Sequence, residues 1–343
     1  VLRPRRLLIL AEGKSGDPHY GKTARGVLRY RPQDVVAVLD SESSATEHEG
    51  FPLVRTVDEA RQYEPTAALV GVATQGGRFP PAWRELLKDC IRAGLDVENG
   101  LHEFISTDPE LAALAREHGV ELRDLRMAPP GLNVPTGANL THGATTILTV
   151  GSDCAIGKMT VSLELEREAR RRGWRSEFVP TGQTGIAIAG WGISVDAVVA
   201  DFIAGAAEQL VLEGVERGGE VLFVEGQGSL LHPAYSGVTL GLIHGSAPHT
   251  YVLCHKAGER FVDENEQYPI PPLSELVELH ERISLLARPA RVRAIALNTR
   301  DLDEAAARRA VAETEAETGL PADDPVRFGA GKLVDALEEP QSG

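Results

Sequence analysis

The chain has 343 residues, 42% hydrophobic and 25% charged, which excludes a disordered chain and is about twice the length of a typical ~150-residue domain. A formal charge of −15 opposes phosphate backbones and anionic membranes, and no apolar run nears the ~20 residues of a membrane span, so neither nucleic acid nor bilayer is an expected partner. Arg3, Arg5 and Arg6 precede too short an apolar run for a signal peptide, and Cys90, Cys154 and Cys254 lack disulfide or zinc-ribbon spacing, as expected of a cytoplasmic chain.

Along the first part, apolar runs of strand length at Leu7 to Ala11, Val35 to Leu39 and Ala67 to Val72 alternate with amphipathic stretches, including a helix over Trp83 to Ala93 begun by Pro80-Pro81. That alternation predicts a parallel α/β domain over residues 1–127. After Val120 to Leu125, the stretch 128–144 is rich in Pro, Gly, Asn and Thr with no apolar period, and it reads as a linker.

A second α/β series fills residues 145–343. Strands are expected at Thr146 to Val150, Glu177 to Pro180, Val221 to Glu225, Tyr251 to His255 and Val292 to Asn298. Helices are expected at Thr160 to Arg172, Asp196 to Glu213, Leu273 to Leu286 and Glu304 to Thr318. The fold class is therefore α/β with mainly parallel sheets in two domains.

Six lysines stand against 29 arginines, and five of the six lie within two residues of a glycine, among them Lys14, Lys22 and Lys158. Where lysine persists against such a bias, a compact ammonium beside a flexible turn suits a phosphate. The pattern G-x-x-x-x-G-K-[ST] matches only Gly16 to Thr23, GDPHYGKT, a loop that starts well after its strand and carries the bulky Pro18, His19 and Tyr20. Lys22 there is read as part of a lesser anion or substrate site at a helix start.

A second loop fails that pattern but meets the physical requirement. The β-branched strand Thr146 to Val150 runs directly into Gly151, Ser152, Asp153, Cys154, Ala155, Ile156, Gly157 and Lys158, and Met159 and Thr160 begin a helix. Backbone N–H groups and a helix amino terminus then face one point, which favours a diphosphate, with Lys158 reaching its terminal charge.

This loop resembles that of dethiobiotin synthetase and its relatives, G-T-D-T-x-V-G-K-T. Ser152, Asp153, Ile156, Gly157 and Lys158 fit; Cys154 replaces the second Thr, and Met159 stands where a hydroxyl would ligate Mg²⁺. A thioether is a poor ligand for a hard cation, so no metal ligand set is assigned unless Thr160 takes over. The run Val221 to Gly228 resembles the V-E-G-A-G-G segment of the same superfamily and implies for Glu225 a catalytic place at the strand ends. Asn298 ends a later strand and is read as offering an amide to an adenine edge. Pro180 to Ile186 reads as a ligand-facing loop supplying Thr181, Gln183 and Thr184 to a substrate. His232, His249 and His255 follow later strands, where a histidine is ordinarily structural.

Over nearly its whole length the chain resembles a two-domain family, with an N-terminal Rossmann-like domain and a C-terminal P-loop NTPase-like domain, that includes D-glutamate N-acetyltransferase. The segments that carry the likeness are Ala11-Glu12-Gly13, Gly21 to Ala24 through Leu28 to Tyr30, Gly151 to Thr160, Thr181 to Gly185 and Asp196 to Ala204. The resemblance implies acetyl transfer from acetyl-CoA to an acidic amino acid, with the coenzyme A phosphates on residues 151–160 and Glu225 or His232 as base. Two alternatives stay open: a ligase or kinase using ATP with Mg, and a nucleotide-sensing module. A homo-oligomer acting on a small molecule is the expected assembly.

Overall fold

The computed structural model describes residues 5–17, 21–72, 77–80 and 82–338. The chain divides into two compact units: the described residues up to Ala128 together with Gln183–Ser194, and Pro129–Gly182 together with Val195 onward.

In the first unit the strands β1 (Leu7–Leu10), β2 (Val35–Leu39), β3 (Glu47–His48), β4 (Phe51–Val54), β5 (Ala67–Val70), β6 (Asp96–Asn99) and β7 (Leu122–Asp124) form one sheet in the order β3-β4-β2-β1-β5-β6-β7. All neighbours are parallel except the short β3 and β4. Helices α1 (Lys22–Tyr30), α2 (Val57–Ala60), α3 (Trp83–Arg92) and α4 (Pro109–His118) connect them. Crossover connections bury both faces of a parallel sheet, which is why its central strands read as unbroken apolar runs. Leu8, Leu10, Ala37, Leu39, Ala68 and Val70 pack with Leu87 and Ile91 of α3 in one core. Local chemistry sets the helix ends: the Asp108 carboxylate accepts the amides of Glu110 and Leu111, Pro109 opens α4, and Gly119 closes it in the left-handed region at φ 67°.

In the second unit, strands β8 (Thr145–Gly151), β9 (Ser176–Val179), β10 (Val221–Val224), β11 (Thr250–Lys256), β12 (Arg291–Asn298) and β13 (Ala322–Asp323) form an all-parallel sheet, ordered β13-β12-β11-β8-β10-β9. Its helices are α5 (Lys158–Arg171), α7 (Ile203–Glu216), α8 (Ser236–Ser246), α9 (Leu273–Arg282), α10 (Glu304–Thr318) and α11 (Gly331–Glu338), while α6 (Gln183–Ala189) belongs to the first unit. β8 lies between β10 and β11, in register with Leu222 opposite Thr146 and Cys254 opposite Gly151. Every strand thus delivers its following loop to one edge, and the loop after β8 sits at its centre.

Two stretches differ from expectation. Residues 129–144 are not a loose tether: Thr136 N donates to Glu208 at 2.6 Å, Asn139 Nδ2 to Gly245 O at 2.6 Å, and the Arg288 guanidinium to the carbonyls of Asn139 and Leu140. Turn-forming chemistry gives no apolar period, yet its polar groups fasten it to the second unit. Pro180 to Ile186 is also not one ligand-facing loop, because Gln183–Ala189 is helical and packs into the first unit. Thr184 Oγ1 meets Thr23 Oγ1 at 2.9 Å, Arg31 Nη1 donates to Ala187 O at 3.0 Å, and Arg123 Nη2 donates to Gly190 O at 3.2 Å.

That discontinuity carries a prediction. An isolated fragment of residues 1–128 lacks Ile186, Ala187 and Ile188, all buried in the whole chain, so it should unfold at distinctly lower denaturant than the same fragment joined to residues 183–194 by a flexible linker. Equal midpoints for the two would show that the segment adds nothing to that unit.

Candidate functional site

The site is built where β8 ends. Gly151 is closely packed: a Cβ there would meet Ile156 Cδ1 at 2.8 Å and both Cys254 O and Lys158 Cδ at 3.3 Å. Ala155 (φ 54°) and Gly157 (φ 114°) take the positive dihedrals that turn the loop back before α5. Lys158, only 6% exposed, folds over the loop and donates from Nζ to Asp153 O at 2.6 Å. A compact loop closed by a buried ammonium has the charge and shape that suit an anion.

Its neighbours come from far along the chain. Ser229 Oγ donates to Ser152 O at 2.9 Å, and Ser152 Oγ meets His255 Nδ1 at 2.9 Å. Asn298 Nδ2 donates to Ile156 O at 3.0 Å while its Oδ1 accepts Arg300 N at 3.2 Å, so the amide expected at an adenine edge buttresses the loop. Asp153 is buried and accepts Cys154 N through Oδ1 and Asp263 N through Oδ2, each at 2.6 Å. Met159 and Thr160 occupy the first turn of α5, both half-buried.

Glu225, at the end of β10, is also buried. Its Oε2 accepts the amides of Thr181 at 2.9 Å and Gly182 at 3.1 Å, Oε1 accepts Gln227 Nε2 at 3.1 Å, and Thr181 Oγ1 donates back to Glu225 O at 2.7 Å. The carboxylate therefore clamps the turn after β9, and Gly226 brings β10 against β8, with its N donating to Thr149 Oγ1 at 2.9 Å.

Among the described residues, Asp153, Cys154 and His232 each bring a donor atom to within 4.8 Å of the others, the atoms a cation could use. His232 Nδ1, however, accepts Ala234 N at 3.1 Å, which leaves Nε2 as the ring's N–H. That ring offers a hydrogen-bond donor, which suits an anion better than a cation, and it has no spare lone pair for the base role expected of it. None of the three cysteines is in a disulfide, and burial pushes the thiols of Cys90 and Cys254 up to about 12, which makes them inert.

The four residues expected at a substrate do not fall in one unit. Thr181 lies with Glu225 in the second, whereas Lys22, Gln183 and Thr184 lie in the first. Lys22 is exposed at the start of α1, Thr184 is buried against Thr23, and a Cβ on Gly100 would meet Gln183 Cγ at 3.1 Å. Pro18, His19 and Tyr20 of the formal loop match lie outside the described residues. At the carboxyl ends of β1 and β2, Lys14, Asp17 and Glu42 line a cleft of about 580 Å³. Asp40 there is saturated by Gly13 N, Ser15 N, Ser15 Oγ and Glu42 N; burial pushes its carboxyl up, but these bonds outweigh it and hold it below the usual range.

Sequence reasoning missed Ser229, Asp263 and Glu259 and took His255 as merely structural. His255 is held neutral, burial pushing its imidazole down to about 4, and it joins the loop to a cleft of about 500 Å³ that Glu259 also lines. The available signal was positional, since each lies in or follows a strand that neighbours β8.

Residues 133–334 match a domain of unknown function described as a P-loop domain, DUF1611_C, and residues 39–128 match its Rossmann-like companion, DUF1611_N. A D-glutamate N-acetyltransferase of Tritonibacter scottomollicae is 36% identical over 330 residues, covering 96% of this chain and 97% of that protein. Another, from Pseudoalteromonas sp, is 33% identical over 280 residues, 81% of this chain and 83% of that one. The crystal structure of a DUF1611 family protein from Anabaena variabilis superposes with a TM-score of 0.88 at 44% identity, covering 97% of this chain and 99% of that one.

Proposed function

The chain belongs to the DUF1611 family, and we propose that it is an N-acetyltransferase that moves an acetyl group from acetyl-CoA to the amine of an acidic amino acid such as D-glutamate. The likeness to two D-glutamate N-acetyltransferases, one of them over nearly the full length, carries this reading. The loop's chemistry fits the acyl donor. Lys158 and the backbone amides of the 151–158 turn suit a pyrophosphate, and Met159, where a hydroxyl would hold Mg²⁺, suits a ligand that needs no metal-bridged terminal phosphate. The donor supplies a thioester carbonyl open to attack. The His232 N–H adds a hydrogen-bond donor beside the loop. Glu225 acts as a positioning residue, because its oxygens are spent on Thr181, Gly182 and Gln227.

Incubation with acetyl-CoA and D-glutamate should yield an N-acetylated product and one free thiol per turnover, with no ADP or inorganic phosphate, and the yield should persist in excess EDTA. ADP formation that EDTA abolishes, with no thiol released, would replace this reading by the ATP-dependent ligase or kinase that the loop's resemblance to dethiobiotin synthetase suggests.

A further inference from the structure

The cleft of about 500 Å³ in the second unit is not absorbed by the diphosphate loop, yet His255 on its wall is hydrogen-bonded to Ser152 of that loop at 2.9 Å. Its walls combine apolar side chains, Phe261, Leu273 and Leu297 among them, with three acids, Glu259, Glu313 and Glu317, against Arg260 as the main cation. Glu259 Oε2 is buried and, among the described residues, accepts no hydrogen bond. A buried acceptor left without a donor is destabilising, and a ligand N–H placed there removes that cost.

We infer that this cleft receives the pantetheine arm of the acyl donor, with Glu259 accepting one of its amide hydrogens, an assignment that rests on the acetyl-CoA reading above. The acids decide between occupants. They repel the dicarboxylate acceptor and any phosphate, which keeps the phosphates on the loop beside Lys158, while a neutral arm with an apolar body and two amide N–H groups satisfies both the walls and the orphaned oxygen. Burial, together with the negative charge of Asp153, pushes the Glu259 carboxyl above its ordinary range, as expected of an acceptor awaiting a partner.

The test compares coenzyme A with ADP, which shares the pyrophosphate and adenosine but lacks the arm, by calorimetry on the full chain. Glu259→Ala removes the acceptor. Ala310→Phe, at a half-buried cleft position, fills the space without touching the loop. Each variant, once circular dichroism confirms its fold, should weaken coenzyme A by about 10-fold and leave ADP within about 2-fold. Equal weakening of both ligands would place the purine end in the cleft and overturn the inference, as would coenzyme A affinity unchanged by both substitutions. An unaltered chain that binds ADP but not coenzyme A, or neither, would remove the acyl-donor reading itself and this inference with it.

Discussion

Replacing Lys158 with alanine should cost on the order of 100-fold in affinity for a diphosphate ligand, whereas Lys22→Ala should leave it within about 2-fold. The formal sequence pattern ranks the two lysines the other way. Lys158 is buried, its ammonium already faces the interior of the loop through Asp153 O, and the loop follows its strand without a gap. A charge-assisted bond from so buried an ammonium is worth more than one in solvent, and its loss leaves the ligand's charge unmatched. Lys22 stands exposed at the head of α1 in the other unit. Calorimetry with ADP on both variants checks this, and a larger loss for Lys22→Ala would move the phosphate site into the Rossmann-like unit.

Gly226→Ala should destabilise the chain by about 3 kcal/mol and abolish diphosphate binding in whatever folded fraction remains. The added methyl would lie 1.8 Å from Thr149 O and 3.0 Å from Lys158 Cδ, so a backbone carbonyl of the central strand would have to move, and no side-chain rotation relieves the clash. Gly237→Ala is the matched control. It sits in α8 with nothing within 4 Å of the added methyl, and helix propensity predicts a gain of about 0.5–1 kcal/mol. Urea midpoints separate the two outcomes, and a Gly226→Ala protein as stable as the parent would mean that β8 and β10 are held less tightly than their register implies.

How much of this was legible in the sequence follows from how local each signal is. The central strands were plain because strands buried on both faces are unbroken apolar runs, and the P-loop was plain because strand, turn, lysine and helix adjoin one another. β6 was not expected, since Asp96-Val97-Glu98-Asn99 looks polar; the buried Glu98 is tolerated because Arg5 Nη1 pairs with it at 2.9 Å. α8 was obscured by its glycines, which read as loop until their packing is seen. A Cβ on Gly241 would lie 2.5 Å from Ile203 Cγ2 and one on Gly245 would lie 2.1 Å from Ala204 O, so glycine here permits two helices to touch backbone to backbone. The helix expected to start at Asp196 begins only at Ile203, after two short 3-10 turns. The loop's partners Ser229, His255 and Asp263 stand 77, 103 and 110 positions from the residues they bond, and only strand order brings them there. Local periodicity carries no information about such pairs.

The helix that residues 183–189 lend to the first unit has a consequence for synthesis. Chains emerge from the ribosome amino terminus first, and domains generally fold as they appear. Here the Rossmann-like sheet is fully translated by β7, but its buried complement of Ile186, Ala187 and Ile188 is not, and the central strand β8, the loop and α5 must all be made before Ser194. The nascent chain therefore carries an unfinished apolar face for as long as those residues take to translate, and that interval, with the first unit waiting on a segment made after the other unit's own nucleus, is where a holdase chaperone would have its longest opportunity to engage it.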